Sequence, residues 1–182
     1  MTNNSQSPDP KEIFERERER RQKENFVILV NQLKHQHMSY RIKAAESLGN
    51  TGDQRAVPPL VESMTPDQEP EFLYVVMLSV GKLGNTRAVP ALIPFLESDE
   101  KWVRLGAVKA LGMLGDDSAA LPLLRVLNDK NWDVRVSAVE SFSLMGCTEA
   151  IEFIVPLLSD DDYRVQESAK NTLKVLKELE KV

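Results

Sequence analysis

Few residues of this chain belong to the types that most often carry out chemistry at neutral pH: the sequence has two histidines, His35 and His37, and one cysteine, Cys147. If His35 and His37 lie on a helix, their spacing turns the two rings about 200° apart, so they cannot bind one metal ion together. A structural zinc site needs more Cys and His ligands than this chain contains. We therefore predict no metal site, no cofactor and no catalytic residue.

Cys147 follows Gly146, at a position where a helix N-terminus would lower the pKa of a thiol and make it reactive. No histidine or acid is placed near it by the sequence pattern to serve as a base, so an inert residue in a turn is the favoured interpretation. The run Asp160, Asp161 and Asp162 lacks the alternating acids and central glycine of a calcium-binding loop. We expect these aspartates to cap the helix that follows.

The chain repeats one pattern four times. The matching glycines are Gly52, Gly84, Gly115 and Gly146, at intervals of 32, 31 and 31 residues, and a fixed period of this size indicates a solenoid of stacked repeats. Each repeat is predicted to contain a helix A before the glycine and a helix B after it. The A helices are predicted at 39–50, 71–83, 101–114 and 132–145, and the B helices at 53–64, 86–97, 117–127 and 148–158.

Residues at equivalent positions of the repeats, here called columns, indicate how the helices pack. The shared glycine suits a positive φ at the end of helix A. Gly49, Gly81 and Gly112, three residues earlier, indicate a close approach of the paired helix, because glycine is otherwise unfavourable inside a helix. Pro94 and Pro156 lie late enough in helix B to bend or shorten it. One core column of helix B holds Met64, Leu96, Leu127 and Leu158.

These patterns predict an all-α, right-handed α-solenoid of four helical hairpins with a capping helix at each end. We expect a disordered tail over 1–9, an N-terminal charged capping helix over 10–37, four repeats within 38–161 and a C-terminal capping helix over 162–182. The repeats are predicted at 38–65, 70–98, 101–128 and 132–159. The Glu/Arg-rich start of the first helix is either a partner-binding arm or a solvated extension, and the second interpretation is favoured.

The run from Val103-Arg104 to Leu124, and its counterparts in the other repeats, resembles HEAT-type repeats of the phycobilisome-lyase subfamily, with the pattern V-R-x-x-A-x-x-A-L-G-x-[LI]-G-[DN]. In proteins of this type the arginine, here Arg41, Arg104 and Arg135, ties one repeat to the loop of another. The second repeat departs from the pattern with Leu73, and the fifth unit replaces both glycines by Lys174 and Lys177. The resemblance implies a repeat fold, and for function it implies a bilin lyase-like or phycobiliprotein-associated subunit.

The absence of catalytic groups favours instead a non-catalytic scaffold that binds another protein or a peptide along a trough on the B helices, which line the concave side of such solenoids. The predicted contact residues are Arg55, Arg87, Leu121, Arg125, Glu149 and Glu152. A second apolar surface is predicted at Leu73, Val75 and Leu78, unless the capping helix or a loop covers it. A tetrapyrrole-carrying protein is the partner that the lyase-like alternative implies.

Trp102, Trp132 and Tyr163 open three successive repeats, where they either pack under the loops between repeats, as we expect, or stack with nucleic-acid bases. The chain has a net charge of −5 and no basic block, which argues against nucleic acid. Its longest nearly apolar run covers nine residues, Phe72 to Val80, about half of a membrane span. The start lacks a secretory signal, so we predict a cytoplasmic protein.

Overall fold

The computed structural model describes residues 9–181, which form ten α-helices and no strand. The predicted tail lies outside these residues except for Asp9. The α-helices are α1 (Pro10–Gln32), α2 (Met38–Asn50), α3 (Val57–Ser63), α4 (Pro70–Leu83), α5 (Val89–Leu92), α6 (Lys101–Leu114), α7 (Ala120–Val126), α8 (Trp132–Met145), α9 (Ile151–Ile154) and α10 (Tyr163–Leu179).

The first helix, α1, begins where the sequence predicts. The Asp9 Oδ1 atom accepts a hydrogen bond of 3.0 Å from the backbone N–H of Lys11, which caps the helix, and a proline stands in its first turn. All side chains from residue 11 to residue 25 are exposed. Packing against the repeats begins only at Phe26, and Leu33 just after the helix is buried. More than half of α1 therefore has only exposed side chains.

The A helices α2, α4, α6 and α8 pack side by side in chain order, with α1 before them and α10 after them. Each matches its predicted bounds to within one residue. Gly52, Gly84, Gly115 and Gly146 have φ values of 68°, 69°, 64° and 65°, so they take the left-handed conformation that ends a helix at low cost for glycine. The described residues thus form an all-α repeat solenoid.

The glycines inside the A helices face a different neighbour from the one predicted. A Cβ atom added at Gly49 would lie 2.6 Å from the Cβ of Ser79, and one at Gly112 would lie 2.7 Å from the Cβ of Ser141. Ser79 and Ser141 belong to the A helix of the next repeat, not to the paired B helix. The glycines therefore set the distance between successive repeats.

The second half of each repeat, here called the B segment, alternates between 3-10 and α-helical turns. Each begins with a 3-10 turn, at Gln54–Ala56, Thr86–Ala88, Asp117–Ala119 and Thr148–Ala150. Two of the short α-helices, α5 and α9, pass into 3-10 helix at Ile93–Glu97 and Val155–Ser159. These segments contain Pro94 and Pro156, so the predicted distortions are confirmed. In the last B segment Leu158 was predicted to be a core residue, but it is exposed, and Leu157 is buried instead.

Arg104 ties the third repeat to the loop that follows its B segment. Its guanidinium donates to Asp129 Oδ2 at 2.6 Å and Oδ1 at 3.0 Å, and to Asn131 Oδ1 at 2.9 Å. It also donates to the carbonyls of Ser98 and Asp99, at 2.7 and 3.0 Å. These bonds join the loops on both sides of the repeat, which is the structural role that the resemblance implies.

Arg135 repeats this arrangement one repeat later. It donates to both carboxylate oxygens of Asp160, at 2.9 and 2.6 Å, and to Asp161 at 2.8 Å. The bond to Asp160 raises the pKa of Arg135. Burial opposes ionisation of Asp160, but the bonds from Arg135 and from the backbone outweigh it and lower the pKa of that carboxyl. Arg41 pairs with Glu69 in the first repeat, so three repeats share one type of junction.

The fifth unit keeps part of this junction without an arginine. Gln166 donates from Nε2 to the carbonyl of Asp160 at 2.6 Å, six residues earlier in the chain, as Arg135 does to Asp129 at 2.8 Å. In the second repeat Leu73 stands in the arginine column and is only 2% exposed. The column therefore faces the interior in every repeat, whichever residue fills it.

Candidate functional site

The candidate site is the face formed by the B segments, here called the B face. Side-chain oxygens of Asp53, Asn85 and Asp116 accept hydrogen bonds of 3.0–3.1 Å from the backbone N–H two residues later, which caps the first turn of three B segments. Because the cap is the same each time, Arg55 and Arg87 occupy equivalent positions in successive repeats. Both side chains are exposed.

Leu121 belongs to the third of the four B segments that form the B face. It is 77% exposed, the highest fraction among the exposed large hydrophobic residues of the described part of the chain. It lines two cavities, one of about 330 Å³ shared with the second repeat and one of about 520 Å³ shared with the fourth. Leu121 therefore stands on a ridge between two depressions in the surface.

The cavity of 330 Å³ has one charged edge. Arg125 and Glu97 both line it, and their side chains are highly exposed with 3.8 Å between Arg125 Nη1 and Glu97 Oε1. Exposed pairs at such a distance contribute about 0–1 kcal/mol to stability. Both charges therefore remain available to a partner at little cost to the fold.

The cavity of 520 Å³ contains Cys147, Glu149 and Phe153 in its lining. Burial raises the pKa of the Cys147 thiol, and the contact of 3.5 Å between its Sγ and Glu149 Oε2 adds to the rise. This shift is opposite to that of a reactive thiol, because it favours the neutral form. The cavity offers a surface for binding, with a neutral thiol in its wall.

The predicted contact residues thus divide into three groups. Leu121, Arg125 and Glu149 share the two cavities. Arg87 and Glu152 are exposed but line neither of them. Arg55 is already engaged, because it binds Asp53 through both carboxylate oxygens at 2.6–3.0 Å and its guanidinium lies 4.8 Å from the ring centre of Phe26 in α1.

Phe153 belongs to the site and was not predicted. It is 53% exposed and lines the cavity of 520 Å³ beside Leu121. The sequence holds a signal for it, because the same column carries Pro59, Ala91 and Pro122 in the other repeats. A large aromatic side chain in a column of small residues marks a place where one repeat differs from its neighbours.

The predicted second apolar surface is wrong for Leu73. This side chain is buried in the core because the arginine column points inward. Val75 and Leu78 are partly buried, and Val75 packs against the core cluster. The three residues therefore do not form an open apolar patch in the structure.

The aromatic residues that open the repeats lie on the surface, so the prediction that they pack under the loops is wrong. Trp102 is 51% exposed, and Trp132 and Tyr163 are exposed as well. The guanidinium of Arg164 lies 3.2 Å from the ring centre of Trp132 and donates to both carboxylate oxygens of Asp162, at 2.9 and 2.6 Å. These bonds lower the pKa of Asp162 to about 2.

The two histidines lie in the turn between α1 and α2, not on a helix. Their ring centres are 5.4 Å apart, and the ring of Tyr40 lies 4.5 Å from that of His35. His35 Nδ1 accepts a hydrogen bond from the backbone N–H of His37 at 3.0 Å. Within residues 9–181, no three His, Cys, Asp or Glu side chains are grouped as a metal site would require, and no helix there is long and apolar enough to cross a membrane.

We compared the chain with models of known protein families. A model of HEAT repeats matches residues 62–129 and 120–182, and a model of the PBS lyase HEAT-like repeat matches residues 40–65. No curated protein matches the chain.

Among solved structures, the chain is similar to one in the complex of CpcE and CpcF of phycocyanin lyase from Nostoc sp. PCC7120. The identity is 28% and the TM-score 0.72, over 84% of this chain and 65% of that chain. The chain thus spans slightly less than two thirds of that relative. Two engineered proteins share the fold, at 22% identity with a TM-score of 0.60, covering 82% of this chain and 80% of that chain, and at 19% identity with a TM-score of 0.57, covering 85% and 80%. With most of its length matched by the repeat model, the chain belongs to the HEAT-repeat family.

Proposed function

We propose that the chain is a protein-binding scaffold that takes a partner protein on the B face, around Leu121 and Phe153. The observation that carries this proposal is the exposure of Leu121 between two cavities. Binding energy at protein interfaces concentrates in a few central apolar or aromatic anchors surrounded by polar groups. Leu121 and Phe153 would be the anchors, and Arg125 and Glu149 would belong to the polar rim.

The shape of the site supports a protein partner more than a small substrate. Small molecules are held in enclosed pockets that bury most of their surface, whereas the two depressions here are open and separated by a ridge. The cavity that holds Cys147 contains a thiol with a raised pKa, which a nucleophilic reaction would not favour. We place the protein in the cytoplasm, where its single cysteine would remain reduced.

Replacing Leu121 with Asp should weaken binding of the partner at least about tenfold, because a charged group would replace a central apolar contact. The partner is first identified by affinity purification of the full chain from its native source and mass spectrometry. Binding of the purified partner is then measured by calorimetry. The matched control is Leu144→Asp, since Leu144 is similarly exposed but lies on α8. Equal binding by both variants would contradict a site on the B face.

A second candidate function is a subunit of a bilin lyase-like assembly, with a tetrapyrrole-carrying protein as the partner. The specific observation in its favour is the 28% identity and TM-score of 0.72 to a chain of the phycocyanin lyase complex. That relative assembles as a complex of two proteins, which agrees with a protein-binding role. In this candidate the B face would bind either the second subunit or the phycobiliprotein.

Mixing the purified chain with a linear tetrapyrrole, with and without an apo-phycobiliprotein, should change the visible absorption of the pigment if the lyase-like role is right. Binding would fix the pigment in one conformation, so its absorption bands would shift or sharpen. Serum albumin at the same concentration controls for unspecific pigment binding. A spectrum identical to that of the albumin control would contradict the lyase-like candidate and leave the protein-binding proposal to its own test.

A further inference from the structure

A further cavity lies away from the B face, at the edge where α4 and α6 begin. Its volume is about 580 Å³. Tyr74 and Trp102 form an aromatic wall, with ring centres 5.8 Å apart in an edge-to-face arrangement. Glu69, Glu71 and Glu100 also line this cavity, so carboxylates surround the aromatic rings. We call it the edge pocket.

The repeats show which residues meet at this edge. Positions are counted here from the arginine column, which holds Arg41, Leu73, Arg104, Arg135 and Gln166. Where two repeats meet, the residue three positions before this column in one repeat lies near the residue two positions before it in the next. Between the third and fourth repeats these residues are Lys101 and Asp133, which form an ion pair of 2.9 Å. Between the fourth repeat and α10 they are Trp132 and Arg164, stacked at 3.2 Å. Each of these two junctions contains a cation on an acid or on an aromatic ring.

At the first two junctions, neither of the two facing residues is a cation. The corresponding residues are Met38 and Glu71, then Pro70 and Trp102, and all four line the edge pocket. An acid and an indole ring are therefore present, but their counterparts are apolar. Glu71 and Glu100 form no ion pair among residues 9–181, while Glu69 is paired with Arg41. The edge pocket thus occupies the place where the two later junctions hold a positive charge.

Neighbouring cations do not fill this place. Lys101 Nζ lies 4.6 Å from the ring centre of Trp102, but it is bound to Asp133 and is not part of the lining of the pocket. Arg41 is only partly exposed and is directed to Glu69 and to the carbonyl of His35. The half-exposed indole of Trp102 and two unpaired carboxylates are therefore accessible from solvent.

We propose that the edge pocket binds an arginine side chain of a partner protein. Aromatic rings attract cations through their electron-rich faces, and arginine is the residue most often found there. A carboxylate pair with the planar guanidinium adds direction. The arrangement of Arg164, Trp132 and Asp162 shows the same chemistry inside this chain. This site goes beyond the proposed function, since none of its residues belongs to the B face.

The test titrates the full chain with N-acetyl-L-arginine amide and follows the two indole N–H signals by ¹H–¹⁵N NMR. The signal of Trp102 should move and saturate, while that of Trp132, already covered by Arg164, should stay in place. N-acetyl-L-citrulline amide, which has the same shape without the charge, should leave both signals unmoved. N-acetyl-L-lysine amide should bind more weakly than the arginine compound. Added salt should weaken binding, as expected for exposed charges.

The double variant Glu71→Gln with Glu100→Gln should weaken arginine binding about three- to tenfold. The matched control, Glu178→Gln with Glu180→Gln, changes the net charge equally at exposed positions near the end of α10 and should bind as the unchanged chain does. Leu121→Asp should also leave this titration unchanged, so the test is independent of the B face. The proposal would be overturned if the Trp102 signal did not move, or if the citrulline compound bound as well as the arginine compound. It would also be overturned if the lysine compound bound more tightly, or if the double variant bound arginine as well as the unchanged chain does.

Discussion

Replacing Arg104 with alanine should destabilise the chain by about 3–5 kcal/mol, because it leaves a buried carboxylate without its counter-charge. The side chain of Arg104 is 6% exposed and that of Asp129 is nearly as buried. The guanidinium also donates to Asn131 and to the carbonyls of Ser98 and Asp99. Total stabilities of domains are about 5–15 kcal/mol, so this change would remove a large fraction.

Urea denaturation followed by circular dichroism measures the effect of Arg104→Ala. The matched control is Arg125→Ala, which removes an arginine whose ion pair is exposed and 3.8 Å long, and it should change stability by no more than about 0.5 kcal/mol. Replacing both partners by apolar residues, Arg104→Met with Asp129→Leu, should recover part of the loss, because no unpaired charge then remains, while the carbonyls of Ser98 and Asp99 and the N–H of Asn131 still lack their partners. Equal stability of Arg104→Ala and Arg125→Ala would show that the buried arginine junction does not hold the repeats together.

The fold was predictable because its signals are local and repeated. The A helices end where a glycine takes a positive φ, and α4 and α1 begin at a proline, so these bounds follow from the residues themselves. The B segments were harder to predict. Pro94 and Pro156 indicate where the 3-10 helices lie. In the last B segment, however, Leu157 rather than Leu158 is in the core, although the equivalent 3-10 helix of the second repeat buries the predicted Leu96.

The candidate site was only partly predictable, for a different reason. Sequence columns show which residues occupy equivalent positions, but not which columns the next repeat covers. Leu73 was predicted to belong to a second apolar surface, yet its column faces the core. Trp102 looked like a packing residue, yet its column lies at the open edge of the stack. Whether a column faces the core or the open edge depends on how neighbouring repeats pack together, and only the structure reveals it.

Replacing Gly112 with alanine should destabilise the chain by about 1–3 kcal/mol, the usual cost of overpacking a tight interior. The expected sign is notable, because alanine is favoured over glycine inside a helix by about 0.5–1 kcal/mol. A Cβ atom at this position would lie 2.5 Å from Ser141 Oγ, 2.7 Å from its Cβ and 3.0 Å from its Cα. Ser141 Oγ is held by the carbonyls of Val108 and Ser137, at 3.1 and 2.8 Å, so it cannot move aside without losing these bonds.

The matched control is Ser143→Ala, in the same column one repeat later. There α8 faces α10, and Ser143 and Thr172 line a cavity of about 390 Å³ between the two helices. Ser143 already carries a Cβ atom at this position, so Ser143→Ala should stay within about 0.5 kcal/mol of the unchanged chain, and thermal or urea denaturation would separate it clearly from Gly112→Ala. Equal stability of the two variants would mean that α6 and α8 can separate at little cost, so that close packing at the glycine does not set the spacing of the repeats.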